Sequence, residues 1–103
     1  MERIKTYSEF WPFYLNEHRN RTNLKLHFIG TTIGFLCLVT ALVTQLWHWV
    51  LVGLVAGYAF AWIGHFVFEK NKPATFKYPL WSFISDWRLW FNTLQLLFTK
   101  SSN

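Results

Sequence analysis

Histidine is the residue type in this chain best suited to chemistry, and three of its four copies share an unusual setting. His27, His48 and His65 all lie between Leu26 and Phe68, a stretch that contains no Asp, Glu, Lys or Arg. One bilayer crossing takes about 20 apolar residues, so this stretch is long enough for two. A polar ring inside a membrane helix needs a partner, so these histidines point to a proton partner, a cofactor or a metal.

The positive charges divide the histidines between two ends of the predicted crossings. Lys and Arg flank the uncharged stretch on both sides and are absent from its middle. This pattern predicts cytoplasmic flanks and a middle turn on the far side of the membrane. His27 and His65 then lie at the cytoplasmic end, where His18 can join them. His48 is about 31 Å from His27 along a helix and is excluded from that group.

Two further polar residues belong to the same end. Glu69 stands four residues after His65, and Asn23 stands four before His27, which places each pair on one helical face. We therefore take Glu69 and Asn23 as candidate catalytic residues, and His18, His27 and His65 as candidate metal ligands. Imidazoles with a carboxylate suit Fe(II), Zn(II) or Mn(II). Iron in such a set activates oxygen, whereas zinc would activate a water for hydrolysis, and the spacing alone does not choose.

Each polar residue also has a plainer interpretation. His48, between two tryptophans, is typical of an amphipathic side chain at the membrane interface. Glu69 could pair with the lysines that follow it or with Arg88, and Asn23 could simply cap a helix. Asp86 and Arg88 suggest a local charge balance, although the sequence leaves open whether Asp86 is a metal ligand.

Composition predicts a membrane protein with a single domain, residues 1–103. The chain is 52% apolar and 21% aromatic, which is more than a soluble domain of 103 residues could bury. Its net charge of +5 comes from short segments beside the apolar stretch. That placement suits anionic lipid headgroups, and we expect no nucleic-acid partner. The lone cysteine, Cys37, lies inside an apolar segment and is expected to be an inert packing residue.

The predicted fold is an all-α membrane bundle. Thr6 and Glu9 fit a capping box that begins an N-terminal amphipathic helix at the interface. The first span is expected to be capped by Thr22 or Asn23. The two spans are predicted from about Leu24 to Leu46 and from Val50 to about Glu69, joined by a tight turn at Trp47–Trp49, with close contacts at Gly53, Gly57 and Gly64. A last helix, over residues 80–98, either forms a third span or lies at the interface.

Several segments together resemble one known family. They are YLNEH (Tyr14–His18), NLKLHFIG (Asn23–Gly30), GHFVFEKNKPA (Gly64–Ala74) and YPLWSFISD (Tyr78–Asp86). The chain resembles the 2-hydroxy fatty acid dioxygenases, small membrane proteins typified by a yeast enzyme of phytosphingosine breakdown. The resemblance covers almost the whole chain, and the compact length is similar to bacterial members.

The resemblance implies an Fe(II)-dependent enzyme that uses molecular oxygen to shorten a 2-hydroxy fatty acid by one carbon, an α-oxidation. The histidines of the family motif fall on His18, His27 and His65. The resemblance also implies a bacterial cytoplasmic membrane, or the endoplasmic reticulum in a eukaryote. The acyl tail would lie between the spans or in membrane lipid, and Arg19, Arg21 or Lys25 would hold the carboxylate.

Two alternatives remain at this point. His27 and His65 on adjacent spans could bind haem axially in a membrane electron carrier. The chain could instead be a small membrane scaffold without activity, in which the polar residues only form hydrogen bonds between helices. A strong visible haem band would support the first alternative, and the absence of stoichiometric metal would support the second.

Overall fold

A computed structural model of the protein describes residues 3–102, and four α-helices make up most of it. In chain order they are α1 (Tyr7–Asn16), α2 (Arg21–Thr44), α3 (His48–Ile63) and α4 (Pro79–Ser102). A π-helical segment, Gly64–Glu69, continues α3, and a short 3₁₀-helix, Ala74–Phe76, precedes α4. No β-strand occurs among residues 3–102, so the all-helical prediction is confirmed.

Helix α1 begins as predicted and packs against the start of α4. The Thr6 hydroxyl accepts a hydrogen bond from the Glu9 N–H at 3.3 Å, which caps the helix. Phe10 is fully buried, with its ring centre 5.3 Å from that of Tyr78 and 5.6 Å from that of Trp81. These aromatic contacts fix α1 across the N-terminal end of α4.

Helix α2 begins three residues earlier than predicted, and the predicted cap is wrong. The Asn20 side-chain oxygen accepts hydrogen bonds from the N–H groups of Thr22 (2.8 Å) and Asn23 (3.2 Å). Asn20 has the extended backbone of a capping residue, so its amide satisfies the first N–H groups of the helix. As a result Asn23 is not used as a cap, and its side chain is free to point into the protein.

The turn between α2 and α3 also lies earlier than predicted. Gln45 adopts a left-handed backbone with φ of 61°, and its N–H donates to the Ala41 carbonyl at 2.8 Å. Its side-chain amide donates to the Leu42 carbonyl at 2.7 Å. These bonds satisfy the last carbonyls of α2 and end the helix, so His48 and Trp49 form the first turn of α3.

Helices α2 and α3 pack side by side in opposite directions through glycine. A Cβ atom on Gly30 would lie 2.8 Å from the Phe60 Cβ and 3.0 Å from the Gly57 carbonyl oxygen, so only glycine permits this approach. Arg21–Thr44 and His48–Glu69 are long and apolar enough to cross a membrane, judged by length and composition alone. Most of their residues are not buried, which leaves apolar side chains facing outward.

Helix α4 lies against α2 and completes the bundle. The Trp90 indole N–H donates to the Thr32 hydroxyl at 2.9 Å, and the Trp90 ring also contacts Phe35. In the part of the chain that the structure describes, α4 is not among the helices apolar enough to span. Its packing turns Asp86 toward α1 and α2, at the end where α2 begins.

Candidate metal centre

Three histidines from different parts of the chain meet at one end of the bundle. His18 follows α1, His27 lies in the second turn of α2, and His65 lies in the π-helical segment. Each offers a ring nitrogen within 4.8 Å of the others, and all three are buried, with 3%, 6% and 2% of their surface exposed. The ring centres are 4.4, 4.5 and 5.0 Å apart, and the rings are nearly perpendicular to one another. The three imidazoles therefore surround a common point.

The backbone of α1 fixes the orientation and tautomer of His18. Its Nδ1 lies 2.6 Å from the carbonyl oxygen of Tyr14. A carbonyl only accepts hydrogen bonds, so Nδ1 carries the proton and Nε2 is left with a free lone pair. Burial lowers the pKa of His18 to about 4, although the bond to the Tyr14 carbonyl acts in the opposite direction. The ring is therefore neutral at pH 7, as a metal ligand must be.

Asn71 fixes the tautomer of His65. The His65 Nδ1 lies 2.7 Å from the Asn71 side-chain oxygen. The amide nitrogen of Asn71 donates to the Glu17 carbonyl at 3.2 Å and to its carboxylate at 2.5 Å. Both of these groups are acceptors, so the amide must turn its oxygen toward His65. His65 then carries its proton on Nδ1 and also leaves Nε2 as a lone pair.

This arrangement leaves acceptor nitrogens facing one another without a donor. The Nε2 atoms of His18 and His65 are only 3.0 Å apart, which is repulsive when both are unprotonated. The buried Nε2 of His27 has no hydrogen-bond partner among the described residues. A divalent cation would give all three Nε2 atoms a partner. Metal–nitrogen bonds of ~2.1 Å allow two ligand nitrogens to lie up to ~4.2 Å apart, so the separation of 3.0 Å between the Nε2 atoms of His18 and His65 is compatible with a shared ion. The residues therefore fit a metal ion.

Asp86 lies beside His27, and the Tyr14 hydroxyl is bound to it. The Asp86 carboxylate is 3.9 Å from the His27 Nδ1 and accepts a hydrogen bond of 2.5 Å from the Tyr14 hydroxyl. Burial raises the pKa of Asp86 to about 7, against the opposing effect of the Tyr14 bond. Arg88 does not balance this charge, because its guanidinium lies 4.0 Å from the ring centre of Trp11. The expected local pairing of Asp86 with Arg88 is therefore wrong.

Glu69 and Asn23 lie beside the histidines and contact each other. One Glu69 carboxylate oxygen accepts from the Asn20 N–H and from the Asn23 side-chain amide, the latter at 3.3 Å. The carboxylate thus lies at the N-terminus of α2, where the helix dipole favours a negative charge. Asn23 is fully buried, and its side-chain oxygen has no partner in the described part of the chain. That oxygen occupies the space where Gly64 lacks a side chain.

His48 lies at the other end of α3 and does not approach the centre. It begins α3, whereas His65 follows the end of that helix, and its ring lies 5.4 Å from the ring of Trp49. The sequence alone gives no role to Asn71 or Tyr14. Both lie within the segments that resemble the family, Tyr14 in YLNEH and Asn71 in GHFVFEKNKPA.

Comparison with known proteins agrees with this site. A family model described as Mpo1-like, 2-hydroxy-palmitic acid dioxygenase Mpo1-like, matches residues 4–97. No curated protein matches the chain, and no solved structure matches it. The family match confirms the resemblance found in the sequence, and its range includes all three buried histidines. Since the match covers nearly the whole chain, this protein belongs to the Mpo1-like family.

Proposed function

We propose that the protein is an Fe(II)-dependent dioxygenase that shortens 2-hydroxy fatty acids by one carbon at the cytoplasmic face of a membrane. The convergence of three buried imidazoles, with the Nε2 atoms of two of them 3.0 Å apart, supports a metal centre. The family description supports the choice of a 2-hydroxy fatty acid and of oxygen as the substrates. The two long apolar helices support a membrane location.

The proposed reaction balances without a further reductant. A 2-hydroxy fatty acid and one dioxygen molecule give the acid one carbon shorter, carbon dioxide and water. Iron, when bound by His18, His27 and His65, would supply the redox chemistry with dioxygen that amino-acid side chains lack. Since these histidines form a set of only three protein ligands, coordination positions remain for other molecules.

The residues around the histidines have separate roles in this proposal. Tyr14 and Asn71 hold His18 and His65 in the tautomer that presents Nε2. Asp86 would accept the proton of the substrate hydroxyl, because its side chain is only 16% exposed and lies beside His27. Its pKa of about 7 suits a general base near neutral pH. Exposed cationic side chains at this end of α2 would attract the substrate carboxylate, namely Arg19, Arg21 and Lys25.

The geometry argues against a haem between His27 and His65. The ring of His18 lies 4.4 Å from that of His27 and 4.5 Å from that of His65, centre to centre. A porphyrin placed between the two axial candidates would meet the His18 ring. A scaffold without a metal would leave the facing lone pairs of His18 and His65 unsatisfied.

The decisive experiment is incubation of the membrane-embedded protein with Fe(II), oxygen and 2-hydroxy-palmitic acid. We expect the acid one carbon shorter, detected by mass spectrometry. His18→Ala should abolish the product, and His48→Ala should not, since His48 lies at the far end of α3. Stoichiometric iron without any shortened acid would contradict the proposed activity, and a strong haem spectrum would contradict the metal centre.

A further inference from the structure

A groove between α2, α3 and α4 begins at the metal centre and runs along the bundle. His27 and Asp86 line one end, and Leu38, Val50 and Leu54 line the other. Its volume is about 140 Å³. The rest of the lining is mostly apolar, with α4 contributing Phe83 and Trp87. The polar atoms of the groove are therefore concentrated at the end where the histidines meet.

Glycines keep the groove open between α2 and α3. Gly34 and Gly57 both line it. A Cβ atom on either would lie 3.5 Å from the nearest backbone oxygen of the facing helix, which is an ordinary contact. Helix packing therefore does not require glycine at these two positions. A longer side chain at either position would instead extend into the groove.

His27 joins the groove to the metal centre. The residue is only 6% exposed, its Nε2 has no partner among the described residues, and it lines the groove. An ion held at His27, with the Asp86 carboxylate beside it, would make one end of this apolar groove polar, which favours a ligand with a polar head and an apolar body. Such a ligand would have its head at His27 and Asp86 and its body along the glycines.

We propose that the groove binds the alkyl chain of the substrate, with its carboxyl end at His27 and its methyl end near Leu38. The identity of the polar head rests on the function proposed above. From His27 to Leu38, α2 rises roughly 16 Å. A straight hydrocarbon chain advances by ~1.25 Å per carbon, so ~13 carbons beyond the head would span the length of the groove. The volume of about 140 Å³ encloses only part of such a chain, so the groove suits a long, unbranched acyl chain that is also in contact with lipid.

One side of the groove is open, which gives the substrate a route from the membrane. Leu38 and Leu54 are 38% and 41% exposed although both line the groove. The alkyl chain would therefore contact protein on one side and lipid on the other. A fatty acid could enter sideways from the bilayer without passing through water.

Photolabelling tests the groove independently of catalysis. The probes are two forms of 2-hydroxy-palmitic acid, one with a diazirine near the carboxyl end and one with it near the methyl end. They are added to the Fe(II)-loaded protein in lipid nanodiscs without oxygen, and the labelled residues are mapped by mass spectrometry. We expect the first probe to label residues near Thr31 and Tyr58, and the second to label residues near Leu38 and Val50.

The labelling pattern separates this proposal from the proposed function. If both probes labelled outward-facing residues such as Leu36 and Leu51, the result would contradict binding of the alkyl chain in the groove. If such a pattern accompanied normal production of the shortened acid, the proposed activity would be supported and the proposed alkyl-chain site would be contradicted. Labels ordered by depth without any shortened acid would support the groove and contradict the activity.

A matched pair of substitutions tests the far end of the groove. Leu38→Trp would fill that end, whereas Leu36→Trp places the same side chain on the outer surface of α2, where Leu36 is 57% exposed. We expect Leu38→Trp to lower the ratio of kcat/KM for 2-hydroxy-palmitic acid to that for 2-hydroxy-lauric acid by about 10-fold, because the last methylenes lose their contacts. Leu36→Trp should leave the ratio unchanged. An equal ratio in both variants would contradict the assigned position of the methyl end.

Discussion

At the scale of single residues, the candidate metal centre depends on the group that lies opposite the Nδ1 atom of each histidine. The acceptor is a backbone carbonyl for His18 and an amide oxygen for His65, and a carboxylate lies 3.9 Å away for His27. Hydrogen-bonded partners of this kind fix the tautomer and the ring orientation of a ligating histidine. The bonds to His18 and His65 therefore leave the Nε2 atoms of these two rings as lone pairs that face each other.

Asn71 is the partner most open to a test. Asn71→Ala removes the acceptor for the His65 Nδ1, and we expect divalent metal affinity to fall by ~10–100-fold. Binding of Co(II), followed by its visible spectrum, measures the effect. Asn92→Ala on the exposed surface of α4 is the control and should bind as the wild type does. If Asn71→Ala also bound Co(II) as tightly as the wild type, Asn71 would have no part in positioning His65.

Glu69 remains a predicted catalytic residue, and the structure indicates how it would act. Its carboxylate accepts hydrogen bonds from the Asn20 N–H and the Asn23 side-chain amide at the start of α2. Glu69→Gln keeps an oxygen that can accept these two hydrogen bonds but removes the negative charge beside the histidines, and we expect activity to fall by at least ~10-fold. His48→Ala, at the far end of α3, should be nearly neutral. Equal activity of Glu69→Gln and wild type, at matched expression in membranes, would remove Glu69 from the site.

At the scale of elements, the π-helical segment is the feature that shapes the site. It brings the Asn71 N–H within 3.0 Å of the His65 carbonyl, and the helix ends at Lys70 with a left-handed φ of 63°. The backbone therefore folds back so that Asn71 reaches the His65 ring. Single π turns within α-helices occur frequently at functional sites.

Deleting one residue from this segment tests its role. Val67 is exposed, so its deletion should restore α-helical spacing without opening the core, and should shift Asn71 relative to His65. We expect unchanged helix content by circular dichroism and at least a ~10-fold loss of Co(II) affinity. Val67→Ala keeps the segment length and should retain affinity. Undiminished affinity after the deletion would make the π turn incidental.

The sequence could predict the convergence of the histidines but not their surroundings. The uncharged stretch and its charged flanks place His27 and His65 at one depth, because two crossings of equal length return the chain to the same side. The π turn has no comparable signal, since α and π backbones differ by tertiary contacts rather than by composition. The position of Asp86 beside His27 depends on how α4 lies against α2, and no local sequence pattern specifies that packing.

The same limit applies to the helix ends. Asn20, Thr22 and Asn23 are all good capping residues, and local sequence does not rank them. In the structure Asn20 caps α2, while Asn23 is buried where Gly64 leaves room for it. The choice depends on a contact between the two long helices, so it is made by tertiary packing.

At the scale of the whole molecule, the cationic residues and the three buried histidines lie at the same end. The centre lies where α2 begins and where the π-helical segment ends, and the cationic residues on both sides of the apolar stretch lie near the same end. Helix α1 and the start of α4 pack together over this region through Phe10 and Tyr78. The opposite end carries Trp47, His48 and Trp49 and no charged side chain.

This asymmetry predicts the orientation of the chain in a membrane. Loops rich in Lys and Arg remain on the cytoplasmic side, so the metal centre should face the cytoplasm and His48 the far side. The test uses a Cys37→Ser background, since Cys37 is the only cysteine, and adds either His48→Cys or Lys72→Cys. A membrane-impermeant maleimide on intact spheroplasts should label position 48 at once and position 72 only after permeabilisation. The reverse pattern would put the centre on the opposite side, where cytoplasmic Fe(II) could not reach it directly. Labelling of both positions before permeabilisation would mean that the two helices do not cross.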